Sequence, residues 1–184
     1  MINLEKGQKI IVGDTNLTIG LGWKPNTNGT DFDLDCSAFM LGTDGKLISD
    51  NYFIFYGNLT SPDGALIHGE DDRTGGCSEE GDDETIKIDL TKINQSVNEI
   101  VFVVTIHEAT ERNQNFGQVK NSYIQIVNNI NNQETAKYEL EEDFSIETSV
   151  VFGRLYKRNN EWKFDASGIG HRQDLKYFVN QYSK

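Results

Sequence analysis

The stretch from Glu70 to Glu84 carries the strongest chemical signal in the chain, because it concentrates carboxylates between glycines. It holds eight acidic side chains against one cation, Arg73. Two carboxylates held about 5 Å apart near a protein surface repel each other by roughly 3 kcal/mol. The stretch must therefore stay in contact with water or bind a cation. Residue type alone leaves both interpretations open, and a solvated acidic loop is the commoner outcome for such a run.

A second acidic group precedes this stretch. Asp31, Asp33 and Asp35 alternate with apolar residues, and this period of two places all three aspartates on one face of a strand. Their spacing resembles the opening of an EF-hand loop. That interpretation fails, because Cys36 occupies the position that requires glycine and Gly42 occupies the position of the bidentate glutamate.

The two acidic groups are expected to meet at one end of a hairpin. Asp44-Gly45 is a strong two-residue turn signal, so the strand that contains Asp33 should pair with the segment from Leu47 to Tyr56. The aspartates that begin one strand then lie beside the loop that leaves the other at Asn58, and the acidic stretch follows. Calcium accepts many carboxylate and carbonyl oxygens in irregular geometry, and so many carboxylates favour two ions. Magnesium fits less well, because it prefers few protein ligands.

The remaining chain alternates short apolar segments with turn residues, which is typical of an all-β fold. We predict a two-sheet β-sandwich with short helices, formed by a single domain over residues 1–184. The predicted elements are a first hairpin from residues 8–12 and 17–23, a strand at 86–90, a strand buried on both faces at 99–107, a short helix at 111–119, a last hairpin from 149–157 and 161–167, and a C-terminal amphipathic helix at 174–182.

Composition excludes several classes of function. The 184 residues carry a net charge of −12, with no basic stripe that could displace counterions from a phosphate backbone, so no nucleic-acid binding is expected. The 2 cysteines lack metal or disulfide spacing, which indicates a reducing, cytoplasmic setting. We expect neither a signal peptide nor a membrane span, because no apolar segment is long enough.

Catalysis is also not expected. A paired-carboxylate hydrolase needs an enclosed carboxyl group with a raised pKa, and an open glycine-rich loop does not suggest enclosure. The 3 histidines share no ligand spacing, and no nucleophile elbow of the form GxSxG occurs. The residues therefore predict a binding protein that is not an enzyme.

Several ordered segments resemble the TerD family of tellurite-resistance and general stress proteins. They are DFDLDCSAFML, YFIFYGNLTSPDGALIHGEDDRTG, GDDETIKIDL, EIVFVVTIHEA, NFGQVKNSYIQIVN and ETSVVFGRLYKRNNEWKF. The resemblance spans essentially the whole chain and implies a β-sandwich that binds calcium, usually at two neighbouring sites, and acts in bacterial stress responses without catalysis. It also implies partners, namely TerD paralogues and a TerC-like membrane protein. A cytoplasmic location follows, peripheral to the inner membrane face through that partner.

The same resemblance implies a set of metal ligands. It comprises the side chains of Asp33, Asp35, Asn58, Asp71, Asp82, Asp83 and Glu84, with backbone oxygens of Leu59, Gly75 and Gly76. A second class of function stays open, a calcium-dependent membrane-surface module of the C2 type, in which bound ions bridge to anionic lipid. Such modules need exposed apolar or basic residues beside the ions, and the acidic stretch offers only Arg73.

Overall fold

Two β-sheets that share one hydrophobic core form the protein in this computed structural model. The structure describes residues 1–26, 29–69, 81–140 and 144–184. The strands are β1 (Ile2–Asn3), β2 (Lys9–Ile11), β3 (Asn16–Gly22), β4 (Leu34–Leu41), β5 (Phe53–Ile54), β6 (Leu66–His68), β7 (Glu84–Asp89), β8 (Glu99–Ile106), β9 (Tyr123–Asn128), β10 (Gln133–Glu139), β11 (Ser149–Arg158), β12 (Glu161–Asp165) and β13 (Ile169–His171). The helices are α1 (Ala109–Arg112) and α2 (Leu175–Tyr182), with a 3-10 turn at Asp50–Tyr52.

The strand order confirms the predicted all-β, two-sheet architecture. The first sheet has the order β1-β10-β9-β3-β7-β6, and the second has the order β2-β12-β11-β8-β4-β5, with β13 also paired to β11. Described neighbours run antiparallel, apart from β1, which pairs with β10 in parallel. This arrangement puts β4 and β7, the two strands that begin beside acidic residues, in different sheets.

The strand predicted to be buried on both faces, β8, lies between β4 and β11 in the second sheet. Phe102 and Val103, which point to opposite faces, are both fully buried. One face meets the first sheet across the core. The other is covered near its end by α2, whose Tyr182 ring centroid lies 4.9 Å from that of Phe39.

The predicted first hairpin is wrong, because β2 and β3 belong to different sheets. Strand β2 pairs with β12, whereas β3 lies between β7 and β9. Leu17, Ile19 and Leu21 of β3 are fully buried, so this strand needs partners on both sides of the first sheet. Alternation predicts which face of a strand is buried, but it does not choose the neighbouring strand.

The hairpin at Asp44-Gly45 forms, although its second strand is shorter than predicted. Gly45 has a φ of +71°, which glycine adopts without strain, and β4 pairs with β5 in antiparallel orientation. Between the turn and β5, the chain passes through the 3-10 turn at Asp50–Tyr52. The predicted strand from Leu47 to Tyr56 is therefore limited to Phe53–Ile54, with isolated bridges at Leu47 and Phe55.

The elements predicted at the C-terminal end are confirmed. The last hairpin turns through Asn159 and Asn160, which both have positive φ, as a two-residue hairpin turn requires. The C-terminal helix begins after Asp174, whose carboxylate accepts a hydrogen bond from Tyr177 N at 3.0 Å and so caps the helix. In contrast, the helix predicted at 111–119 is shorter in the structure and begins earlier. Helix α1 spans Ala109–Arg112 and is followed by Asn113 in the left-handed conformation. Within the described ranges, neither helix has the length and apolar character needed to cross a membrane.

The docking of α2 gives a first prediction. Phe178 is fully buried under the second sheet, so Phe178→Ala should lower the free energy of unfolding by about 3–5 kcal/mol in urea denaturation. Lys176→Ala on the exposed side of the same helix serves as the control and should change it by less than about 0.5 kcal/mol. Equal effects of the two substitutions would show that α2 does not pack as described.

Candidate metal centre

The aspartates that lead into β4 share one face, as their alternation predicts. Asp31, Asp33 and Asp35 line a cleft of about 420 Å³, whereas Phe32 and Leu34 are buried in the core. Asp33 and Asp35 are only 8% and 6% exposed. The start of β4 therefore presents two carboxylates that are almost withdrawn from solvent.

Glu84, at the start of β7, reaches across from the first sheet to the second. Its Oε2 accepts a hydrogen bond from Cys36 N at 2.5 Å. The carbonyl oxygen of Cys36 lies 2.9 Å from Nε2 of His68, a residue of β6. Strand β5 pairs with β4 only at Ala38 and Phe39, so Cys36 lies beyond the end of its neighbour. Side chains of the first sheet thus bind the backbone groups of Cys36 that a longer β5 would have bound.

Asp83 forms a second connection between the two acidic segments. Its Oδ2 accepts a hydrogen bond from Trp23 N at 2.8 Å, just after the end of β3. The indole Nε1 of Trp23 donates in turn to Phe32 O at 3.2 Å, next to Asp33. The structure therefore brings Asp33, Asp35, Asp83 and Glu84 to the same end of the sandwich, all of them buried.

Asp82 is directed elsewhere, to the outer face of the first sheet. Its Oδ1 accepts a hydrogen bond from Gln125 Nε2 at 2.8 Å, and its carboxylate lies over Gly20, where an added Cβ would stand 1.8 Å from Oδ2. Burial raises the pKa of Asp82, and hydrogen bonds from Gln125 and Tyr123 oppose that shift. Asp82 is the one described acidic residue of the expected ligand set that the structure does not gather with Asp33 and Asp35.

Asn58 and Leu59 lie in the turn after β5, whose Tyr56 lines the cleft. The amide nitrogen of Asn58 donates to Phe53 O at 2.7 Å, so this side chain holds the turn together. The carbonyl oxygen of Leu59 accepts a hydrogen bond from His68 N at 2.7 Å. The remaining expected ligands, Asp71, Gly75 and Gly76, lie outside the described residues.

Sequence reasoning missed two nitrogen-bearing side chains of the cleft, His107 and Arg112. His107 follows β8, and its N–H donates to Asp33 O at 2.8 Å, which continues the pairing of β8 with β4. Its Nδ1 lies 3.8 Å from Asp35 Oδ2, and Arg112 Nη1 lies 4.0 Å from Asp33 Oδ2. The sequence shows that His107 follows a strongly predicted strand, but the residues that lie beside it in space depend on the strand order.

Gln114 is a further residue that the sequence did not indicate. It is buried after α1, and its Nε2 donates to the carbonyl oxygens of Thr30 and Asp31 at 2.9 and 3.1 Å. These two bonds fix the segment that leads into the aspartates.

The chemistry of the gathered carboxylates fits calcium, which prefers hard oxygen ligands. Within residues 1–26, 29–69, 81–140 and 144–184, however, no three His, Cys, Asp or Glu side chains stand close enough together to hold a metal ion. The described carboxylates alone thus supply suitable donors without completing a coordination shell.

Comparison with known proteins agrees with this architecture. Residues 1–182 match the TerD domain. The chain is 45% identical over 188 residues to general stress protein 16U of Bacillus subtilis (strain 168), covering 98% of this chain and 96% of that protein. It is 46% identical over 187 residues to tellurium resistance protein TerD of Serratia marcescens, with coverages of 98% and 96%. The crystal structure of a homologue of telluride resistance protein (TerD) from Streptomyces coelicolor A3(2) has the same fold, with a TM-score of 0.75 at 20% identity, and covers 91% of this chain and 96% of that one.

The burial of Asp82 predicts a pH dependence in calcium-free buffer. A carboxyl group whose pKa is raised in the folded state binds more protons folded than unfolded, so stability falls as pH rises from the ordinary carboxyl pKa through the raised one. Asp82→Asn removes this effect. Its unfolding midpoint should exceed that of the wild type at pH 7, and the two should converge in acid below the ordinary carboxyl pKa.

Thermal unfolding in EGTA across this pH range measures the effect. Asp44→Asn, at the exposed hairpin turn, removes one carboxylate in the same way and is the matched control. A variant of Asp82 that is less stable than the wild type at pH 7 would contradict the described environment of this carboxylate.

Proposed function

Because the chain belongs to the TerD family, the family of tellurite-resistance and general stress proteins, we propose that it is a calcium-binding stress-response protein without enzymatic activity. One observation supports the proposal: Asp33, Asp35, Asp83 and Glu84 are each buried at the end of the sandwich where β4 and β7 begin. Burying several carboxylates in a folded chain costs free energy, since burial disfavours their charged form. A divalent cation at this end of the sandwich offsets that cost.

The fixed positions of these carboxylates suit metal binding. Asp83 and Glu84 accept backbone hydrogen bonds from Trp23 and Cys36, which orient each carboxylate. A carboxylate that is already oriented is a good calcium ligand.

The proposed ions act on the acidic stretch that lies between β6 and β7. Two calcium ions bound by the strand carboxylates and by ligands of that stretch order it into a surface for partners. By family resemblance, the proposed partners are TerD paralogues and a TerC-like membrane protein, and the proposed location is the cytoplasm, at the inner face of the membrane.

Calcium should stabilise the protein by mass action, because it binds the folded state. At a free concentration of about 100 times Kd, the gain is about 2.7 kcal/mol, which raises Tm by roughly 5–10 °C in a chain of this size. Asp33→Asn with Asp35→Asn should abolish most of the shift, whereas Glu161→Gln, at the exposed start of β12, should preserve it.

Differential scanning calorimetry in calcium and in EGTA measures the shift, and titration calorimetry gives the number of ions. We expect two ions per chain. Identical unfolding curves of the wild type in calcium and in EGTA would rule the proposal out.

A specific observation favours a second candidate, the calcium-dependent membrane-surface module. Tyr56, which lines the cleft, and Leu59, three residues further along, are 46% and 47% exposed, and they would supply the apolar contacts that the acidic stretch lacks. Bound calcium would bridge the carboxylates to anionic headgroups while these side chains enter the interface.

Sedimentation with phosphatidylserine vesicles distinguishes this candidate. It predicts recovery in the pellet with calcium but not with EGTA, and a loss of binding in Leu59→Asn. Ile130→Asn changes an even more exposed side chain at the β9–β10 turn, at the opposite end of the first sheet, and should not alter sedimentation. Absence of the wild type from the pellet would exclude the membrane role and leave calcium binding intact.

A further inference from the structure

The cleft at the start of β4 has walls of opposite charge. Asp31, Asp33 and Asp35 line it together with Arg112 and His107. Arg112 Nη1 lies 4.0 Å from Asp33 Oδ2, and His107 Nδ1 lies 3.8 Å from Asp35 Oδ2. Both are ion-pair distances, longer than the roughly 3.2 Å of a good N–H···O hydrogen bond. Arg112 therefore pairs with Asp33, and His107, when protonated, pairs with Asp35, without a direct hydrogen bond between these atoms.

Arg112 and His107 lie on the same wall and share one acidic neighbour. Glu108 contacts both, with its Oε2 3.4 Å from Arg112 Nη2 and its Oε1 3.7 Å from His107 Nε2. The left-handed backbone of Glu108, with φ of 51°, turns the chain from β8 into α1. The other nitrogen of each side chain, Arg112 Nη1 and His107 Nδ1, is the one nearer the aspartates.

The cleft is larger than the space that a bare ion would fill. Its volume of about 420 Å³ falls within the range of roughly 300–1,000 Å³ found for small-molecule sites. A water molecule occupies about 30 Å³, so a calcium ion with a few waters leaves most of the cleft unfilled. Tyr56, which is half exposed, adds an aromatic side to the same space.

The charges around the cleft then indicate which kind of ligand would fit the remaining space. A divalent cation on Asp33 and Asp35 would repel the guanidinium of Arg112 at this short range. An anion placed between the ion and Arg112 is attracted by both. Oxyanions suit such a position, because their oxygens can coordinate calcium while others accept charge-assisted hydrogen bonds from a guanidinium.

We propose that this cleft binds a small dianionic oxyanion of the phosphate type together with calcium, held by Arg112 and His107 on one side and by the calcium ion on the other. The proposal rests on the proposed calcium function and names the ligand class of that site. Calcium and the oxyanion then bind with positive coupling, so each raises the affinity of the other by the same factor.

Titration calorimetry with inorganic phosphate, below the solubility limit of calcium phosphate, tests the proposal. We expect one phosphate per calcium-loaded chain, and binding at least about tenfold weaker in EGTA. Glycerol phosphate forms a second arm: binding of both probes indicates that the site accepts phosphate carried on a larger molecule, and binding of inorganic phosphate alone indicates a site for the free anion. Either result supports the proposal.

Variants of Arg112 locate the site. Arg112→Gln should weaken phosphate binding by about tenfold or more, since a hydrogen bond to a charged group is lost, and should leave calcium affinity equal or higher. Arg112→Lys should retain part of the phosphate affinity. Arg158→Gln, on the exposed end of β11, is the matched control and should bind phosphate as the wild type does.

The outcomes separate the two proposals. If calcium does not bind the wild type, the proposed function fails. If calcium binds but neither phosphate probe does, or if Arg112→Gln binds phosphate like the wild type, only the oxyanion site is overturned. Calcium binding by Arg112→Gln shows that this variant is folded, and His107→Gln gives an independent weakening of phosphate binding should Arg112→Gln not fold.

Discussion

The geometry of the site depends on how the backbone of Cys36 is satisfied. A peptide group buried at a strand edge must find hydrogen-bond partners, and β5 ends too early to supply them. Glu84 and His68 of the first sheet provide both, so their side chains bond the second sheet where the acidic segments meet. The two sheets are thus held together there by polar bonds as well as by apolar packing. The same bonds orient Glu84 and, through the adjacent peptide, fix the strand position of Asp35.

The cleft beside this junction has a composition that a calcium site alone does not explain. Its carboxylates suit a hard cation, yet Arg112 and His107 stand within about 4 Å of two of them. Opposite charges on facing walls recognise ligands that carry both signs, or an ion and its counter-ion together. Glu108 also contacts Arg112 and His107, so the position of both side chains depends on the β8–α1 connection.

Sequence reasoning predicted what depends on local pattern and failed where neighbours are chosen over long distances. The shared face of Asp33 and Asp35, the buried strand β8 and the helix α2 all follow from periodicity and capping. The assignment of β2 and β3 to one hairpin was wrong, because apolar alternation is satisfied equally by either sheet. The sequence did not predict that Arg112 and His107 lie in the cleft, for a related reason. They reach the cleft only because β8 pairs with β4, a contact between residues about seventy positions apart. Asp82 adjoins Asp83 and Glu84 in the sequence, but its side chain lies over Gly20, on the opposite face of the first sheet.

The first two strands, which join different sheets, bear on how the chain folds as it is made. Strand β1 pairs with β10, and β2 pairs with β12, so both partners lie more than 120 residues further along. During synthesis, residues 2–11 emerge long before their partner strands and must wait for them before they can pair. Closing so long a loop is entropically costly and slow. These two strands are therefore expected to join the sandwich late, and in a ribosome-bound chain that lacks β12, strand β2 has no partner strand.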